Sequence, residues 1–219
     1  MASTRLLFSQ SLFRPLSLST RRYVSTLPSN PLIKIFPHLS PTGQPVNLLT
    51  YLDSVPPNPA LAIGTTTAVP PTPQSFSSNP KFLSILNDVL AQNASQDPEL
   101  QAQAQAFASP GGFTFIGNPN SSRKGKKETS GASGEGGAGG AGVGGWVHLS
   151  DSRNPPDFGR IAWPEDILGS VEVDGKGQII GNYQPSGTYR IITNQGMLGL
   201  SPFLEKRLIA RLREEETKA

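Results

Sequence analysis

Ser170-Val171-Glu172-Val173-Asp174-Gly175-Lys176-Gly177-Gln178-Ile179-Ile180 is the stretch that decides the fold class. Residues 170–174 alternate polar and apolar, the period of a half-buried strand. Asp174-Gly175-Lys176-Gly177 is turn chemistry, because glycine reaches the positive φ that tight hairpins require. Gln178–Ile180 then returns as the partner strand. Antiparallel pairing is therefore expected here, and the neighbouring sequence extends it. Tyr183–Gly187 reads as a second turn. Thr188-Tyr189-Arg190-Ile191-Ile192-Thr193 has the highest β-branched and aromatic content in the chain and is expected to form its strongest strand. Asn194-Gln195-Gly196 turns it into Met197-Leu198.

Upstream, Trp146–Ser150 reads as a strand and 151–159 as a fixed turn around Asn154-Pro155-Pro156-Asp157. Pro164–Gly169 suits one helical turn, with proline opening it and acids at its positive end. Downstream, Ser201-Pro202 starts a helix whose Leu204, Leu208 and Leu212 form the buried stripe, flanked by Phe203 and Ile209. Lys206, Arg207, Arg211 and Arg213 fall on its wet face, and Glu214–Glu216 are expected to fray. The predicted class is α+β: a small antiparallel sheet of three to four short strands with a C-terminal helix packed on it, spanning 146–219. A unit of this size has a marginal core. It is expected to complete that core with residues 80–116 or with a partner protein.

Two helices are expected before it. Asn79-Pro80 and Asp97-Pro98 each pair a capping side chain with a proline at the first helical position. Apolar spacing and good helix formers then predict helices over 80–92 and 98–108, and Phe113–Ile116 a short strand. Residues 117–145 read as a Gly-rich linker. Gly140–Gly145 is no dinucleotide loop, since low-complexity sequence precedes it and a strand, not a helix, follows. With 23 Gly and 21 Pro in 219 residues, long N-terminal and central segments are expected to be disordered. Residues 24–79 are assigned to that class on their Pro, Ser and Thr density, with Leu32–Phe36 and Val46–Leu52 as apolar docking strips.

Residues 1–23 carry Arg5, Arg14, Arg21 and Arg22 and no acid, and the first acidic residue is Asp53. An Arg- and Ser-rich, acid-free start is the pattern of an organelle presequence, and Arg21-Arg22-Tyr23 suits mitochondrial cleavage after Tyr23. The remaining Lys and Arg nearly balance the 16 Asp and Glu, so the pI overstates any affinity for nucleic acid. No cysteine is present, which excludes disulfides and thiolate chemistry. No apolar run is long enough for a transmembrane segment.

Chemical signals are sparse. His38 and His148 are far apart in sequence, and no cofactor or metal is implied. Asp151, Asp157, Glu165 and Asp166 serve a carboxylate site only if they converge beside His148. Ser201 reads as a helix cap. For partner recognition the candidates are Tyr183, Gln184, Tyr189, Arg190, Trp146 and Trp163, rigid side chains of large contact area around a proline turn. For a basic contact they are Arg123, Lys124, Lys126 and Lys127.

Arg153-Asn154-Pro155-Pro156-Asp157-Phe158-Gly159-Arg160-Ile161, Pro164–Val171 and Tyr183–Arg190 resemble a family of small, poorly characterised mitochondrial proteins of fungi. The resemblance covers residues 146–213 and implies a location, not an activity. The sequence thus leads to a non-enzymatic interaction or assembly protein of the mitochondrial matrix or the matrix face of the inner membrane, with a mitochondrial protein partner. RNA or mitoribosome association and peripheral membrane contact through the basic residues are its alternatives. A carboxylate-based enzyme ranks last.

Overall fold

A computed structural model describes residues 25–108, 144–156 and 160–218. The expected presequence, the strand at 113–116 and the basic cluster at 123–127 lie outside them.

The N-terminal part is a five-stranded antiparallel meander: β1 (Ser25–Leu27), β2 (Asn30–Leu39), β3 (Pro45–Thr50), β4 (Gly64–Thr66) and β5 (Phe76–Ser78), in that order across the sheet. This corrects the reading of 24–79 as disordered. The two apolar strips are β2 and β3, paired Ile35 to Leu49 and Phe36 to Leu48. Strand alternation sends Ile33 and Ile35 into the main core. Phe36 and Leu48 lie on the opposite face with Ala62, also buried. Proline density misleads because the prolines stand where a missing N–H is tolerated. Pro45 opens β3, and β1 pairs with β2 only over residues 30–35, so Pro37 has a strand neighbour on one side alone.

Three helices follow: α1 (Pro80–Asn93), α2 (Pro98–Ala108) and α3 (Pro202–Lys218). Each starts at a capping residue followed by proline. The Asn79 side chain accepts from the Lys81 amide at 3.0 Å, Asp97 from Glu99 at 3.4 Å and Ser201 from Leu204 at 3.2 Å. Ser201 also donates to the fully buried Asp97 carboxylate at 3.0 Å, which ties the starts of α2 and α3 together. Both helix dipoles place partial positive charge beside that carboxylate. The expected stripe Leu204, Leu208 and Leu212 is fully buried, and α3 packs along α1. The helix does not fray at Glu214–Glu216: Arg211 pairs with Glu215 at 3.0 Å and Lys218 with Glu215 at 3.3 Å.

The C-terminal strands are β6 (Gly145–Ser150), β7 (Ile167–Val173), β8 (Gln184–Pro185), β9 (Ile192–Thr193) and β10 (Gly196–Met197). β6, β7 and β8 form one antiparallel sheet; β9 and β10 form a hairpin. The turn at 174–177 closes as expected, with Gly177 at φ 78°. A side chain there would also collide with the backbone of Ala104 and Gln105 in α2. The return segment 178–180 contributes only a single bridge, Val173 to Ile179. The helical turn covers Pro164–Asp166 alone, and β7 begins directly after it. The strand expected over 188–193 is reduced to its last two residues. The missing core of the small C-terminal unit is supplied from within the chain: one cluster joins Leu27, Ile33 and Leu49 to Phe82, Leu100, Val171 and Leu208.

Ile33 is fully buried in that cluster. Replacing it with alanine is expected to cost about 2–5 kcal/mol in urea denaturation, whereas a disordered docking strip gives no change.

Candidate functional site

The loop from β6 to β7 folds around one arginine. The Arg153 side chain is 4% exposed and is set between the carboxylates of Asp166, 1% exposed, and Asp151, fully buried. Its Nε donates to Asp166 Oδ1 at 2.9 Å, and a terminal nitrogen reaches the same oxygen at 2.8 Å. The fork then reads backbone: Nη1 donates to the Ile191 carbonyl at 2.8 Å, and Nη2 to Arg190 at 2.7 Å and Glu165 at 3.0 Å. A planar guanidinium suits this task because its donors diverge in fixed directions. The Tyr189 ring lies under it, 5.4 Å from the guanidinium carbon.

The two carboxylates complete the enclosure. Asp166 accepts from Asn154 at 3.0 Å. Asp151 accepts from the Arg153 and Gly199 amides, each at 2.9 Å, and from the Tyr189 hydroxyl at 2.7 Å. Burial raises the Asp151 carboxyl above its ordinary range, while Arg153 and these hydrogen bonds pull it back. Burial, with Asp151 beside it, holds the Tyr189 hydroxyl well above the usual phenol range.

The cluster also explains the shortened strand. The Arg190 carbonyl accepts from Arg153 and its amide donates to Glu165 at 3.1 Å, which leaves Arg190 without a strand partner, while the Ile191 carbonyl is shared between Arg153 and the Leu198 amide at 2.8 Å.

Outside this packed centre the same loop presents an apolar ridge. Trp163 is 71% exposed and Ile161 45% exposed. With Asn154, Pro155, Pro156 and Arg160 they line a surface groove of about 380 Å³. The ridge is held from behind. The Trp163 carbonyl accepts from the Asp166 amide at 2.8 Å, the Pro164 carbonyl from Thr188 Oγ1 at 2.7 Å, and the Asp166 carbonyl from the Asp151 amide at 2.7 Å.

The six residues expected for partner recognition do not form one surface. Tyr183 is buried, its hydroxyl on the Leu168 carbonyl at 2.7 Å. The Tyr189 hydroxyl is spent on Asp151. Trp146 and Gln184 lie on the outer face of the β6–β7–β8 sheet with His148 and Ser170. Arg190 is exposed beside the Arg153 cluster, and Trp163 crowns the ridge. Asp151 and Asp166 do converge, but on Arg153 and not beside His148. Glu165 is exposed, and Asp157 lies outside the described residues. Sequence reading missed Arg153 and Ile161. Both carboxylates had an adequate local explanation as turn and helix-start acids. The available signal was an arginine in a proline-rich loop bracketed by aspartates.

His148 Nδ1 stands 2.7 Å from Ser170 Oγ, and partial burial lowers its pKa below 6.5. Among the described residues no group of three or more His, Asp or Glu is arranged to hold a metal, and no helix is long and apolar enough to cross a membrane. Comparison of the chain with protein-family models, curated proteins and solved structures gave no match.

Arg153→Met leaves two carboxylates buried without their cation. It is expected to destabilise the fold by about 3–5 kcal/mol in chemical denaturation. Arg153→Lys should recover little of this, since an ammonium cannot reach all three carbonyls and Asp166 together.

For His148 the folded pKa lies below the unfolded one. The unfolded chain therefore binds more protons between the two values, and stability falls as pH drops below about 6.5. Proton NMR of the imidazole is expected to give a midpoint below 6.5. His148→Gln should flatten the melting temperature between about pH 7 and 5 relative to wild type.

Proposed function

We propose that the protein is a non-enzymatic interaction or assembly protein of mitochondria that docks a protein partner on the Trp163 ridge. The observation that carries this reading is an indole 71% exposed on a loop whose backbone is fixed from behind. Tryptophan is among the residues most enriched at interface hot spots, because it removes a large apolar area from water at little entropic cost. Ile161 and the two prolines extend the same apolar area, and Arg160 supplies a polar edge of the kind that rims such contacts. The acid-free, arginine-bearing start of the chain and the resemblance over residues 146–213 support placement on the matrix side.

RNA association draws less support. On α3, Arg211 is paired with Glu214 and Glu215, and Arg207 stacks on Phe203 with its guanidinium carbon 5.2 Å from the ring centroid.

Cross-linking in intact mitochondria, comparing wild type with Trp163→Ala, tests the reading. The variant is expected to melt as wild type, within the roughly 0.5 kcal/mol typical of surface changes, and to lose the cross-linked partner. The wild-type complex should survive about 0.5 M salt, because an apolar anchor is not screened. A cross-linking pattern unchanged in Trp163→Ala contradicts the proposal. Retention that needs intact RNA and disappears with salt supports the RNA alternative in its place.

A further inference from the structure

A second cavity lies on the seam between the two sequence halves. Its volume is about 240 Å³, and it opens between β5, the first turns of α1 and residues 189–192. The walls are apolar: Phe76, Leu83, Ile191 and Ile192, with the Tyr189 ring, whose hydroxyl is committed to Asp151. Two polar residues complete the lining, Ser78 and Arg190.

Their condition distinguishes this cavity from an ordinary packing gap. The Arg190 backbone is fully used: its amide donates to Glu165 and its carbonyl accepts from Arg153. The main chain that carries the guanidinium is therefore held by the clamp. The guanidinium itself has no hydrogen bond or ion pair among the described residues, and neither has the Ser78 hydroxyl. Ser78 also precedes Asn79, the cap of α1, so the cavity lies beside the positive end of that helix.

We infer that this cavity is a binding site for a small monocarboxylate with a compact apolar body, such as an aromatic or branched-chain acid. A guanidinium fork matches a carboxylate with two parallel hydrogen bonds. The Ser78 hydroxyl is a third donor, and the apolar walls cover one side of the body of the ligand. One cation among the lining residues matches one negative charge. A phosphate ester, with close to two charges at neutral pH, would leave the second uncompensated. The volume is below the usual range for drug-sized ligands, which limits the occupant to about ten heavy atoms. Because its walls come from both halves of the chain, an occupant stabilises their union.

Titration of the full chain with benzoate, isovalerate and the neutral isostere benzamide tests this, by calorimetry and by melting temperature. Saturable one-site binding is expected for the two acids, at least about tenfold tighter for benzoate than for benzamide, with a rise in melting temperature. Arg190→Gln should remove both effects and Arg190→Lys should weaken them. Arg213→Gln, on the exposed face of α3, should bind as wild type. Arg190 is exposed, so its replacements are expected to melt as wild type without ligand. Absence of saturation up to about 20 mM acid, equal affinity for benzamide, or undiminished binding in Arg190→Gln overturns the inference.

Discussion

The guanidinium of Arg153 is the constraint on which the C-terminal half is built. It neutralises buried Asp166 directly and stands 3.6 Å from buried Asp151, while its remaining donors hold the carbonyls of Glu165, Arg190 and Ile191. Burying such a group is costly unless every donor and both acids are satisfied, and here they are. The result is an irregular segment whose main chain is held by side-chain hydrogen bonds in place of a full ladder. One side of it shapes a seam cavity and the other supports an exposed tryptophan, so both features inherit their geometry from one buried interaction.

The two halves of the chain are joined by polar stitches as well as by the shared apolar cluster. Asn30 donates to the Leu198 carbonyl and to Glu205, which ties β2 to the start of α3. Asp97 and Ser201 tie α2 to the same helix end. These contacts bridge residues more than a hundred positions apart, and they fix orientation in a way that apolar packing alone does not. Tyr51, buried with Glu205 and Asp151 as its charged neighbours, has its hydroxyl pKa raised well above the ordinary value, chiefly by burial.

Local chemistry made the helices legible. Asn79-Pro80, Asp97-Pro98 and Ser201-Pro202 each announced a start, and the leucine spacing of α3 identified its buried face. The hairpin at 174–177 was equally plain. Long-range effects were not. Proline density in 25–78 concealed a meander because strand-edge position, which makes Pro37 harmless, is a property of the sheet and not of the segment. The Thr188–Thr193 run has strong strand propensity, yet Arg153, distant in sequence, takes the Arg190 carbonyl and shares that of Ile191. Of the six residues proposed for recognition, large aromatic size marked both interior and surface positions. Tyr183 and Tyr189 turned inward, where their hydroxyls had partners, and Trp163 remained outside.

Amide hydrogen exchange of the unmodified protein tests the clamp most directly. If the Arg153 cluster freezes the irregular segments, the amides of Arg190, Arg153 and Gly199 exchange as slowly as those of Ile35 and Leu49 in the β2–β3 pair. Exchange at those three positions as fast as at the exposed turn amide of Gly43 would contradict the account.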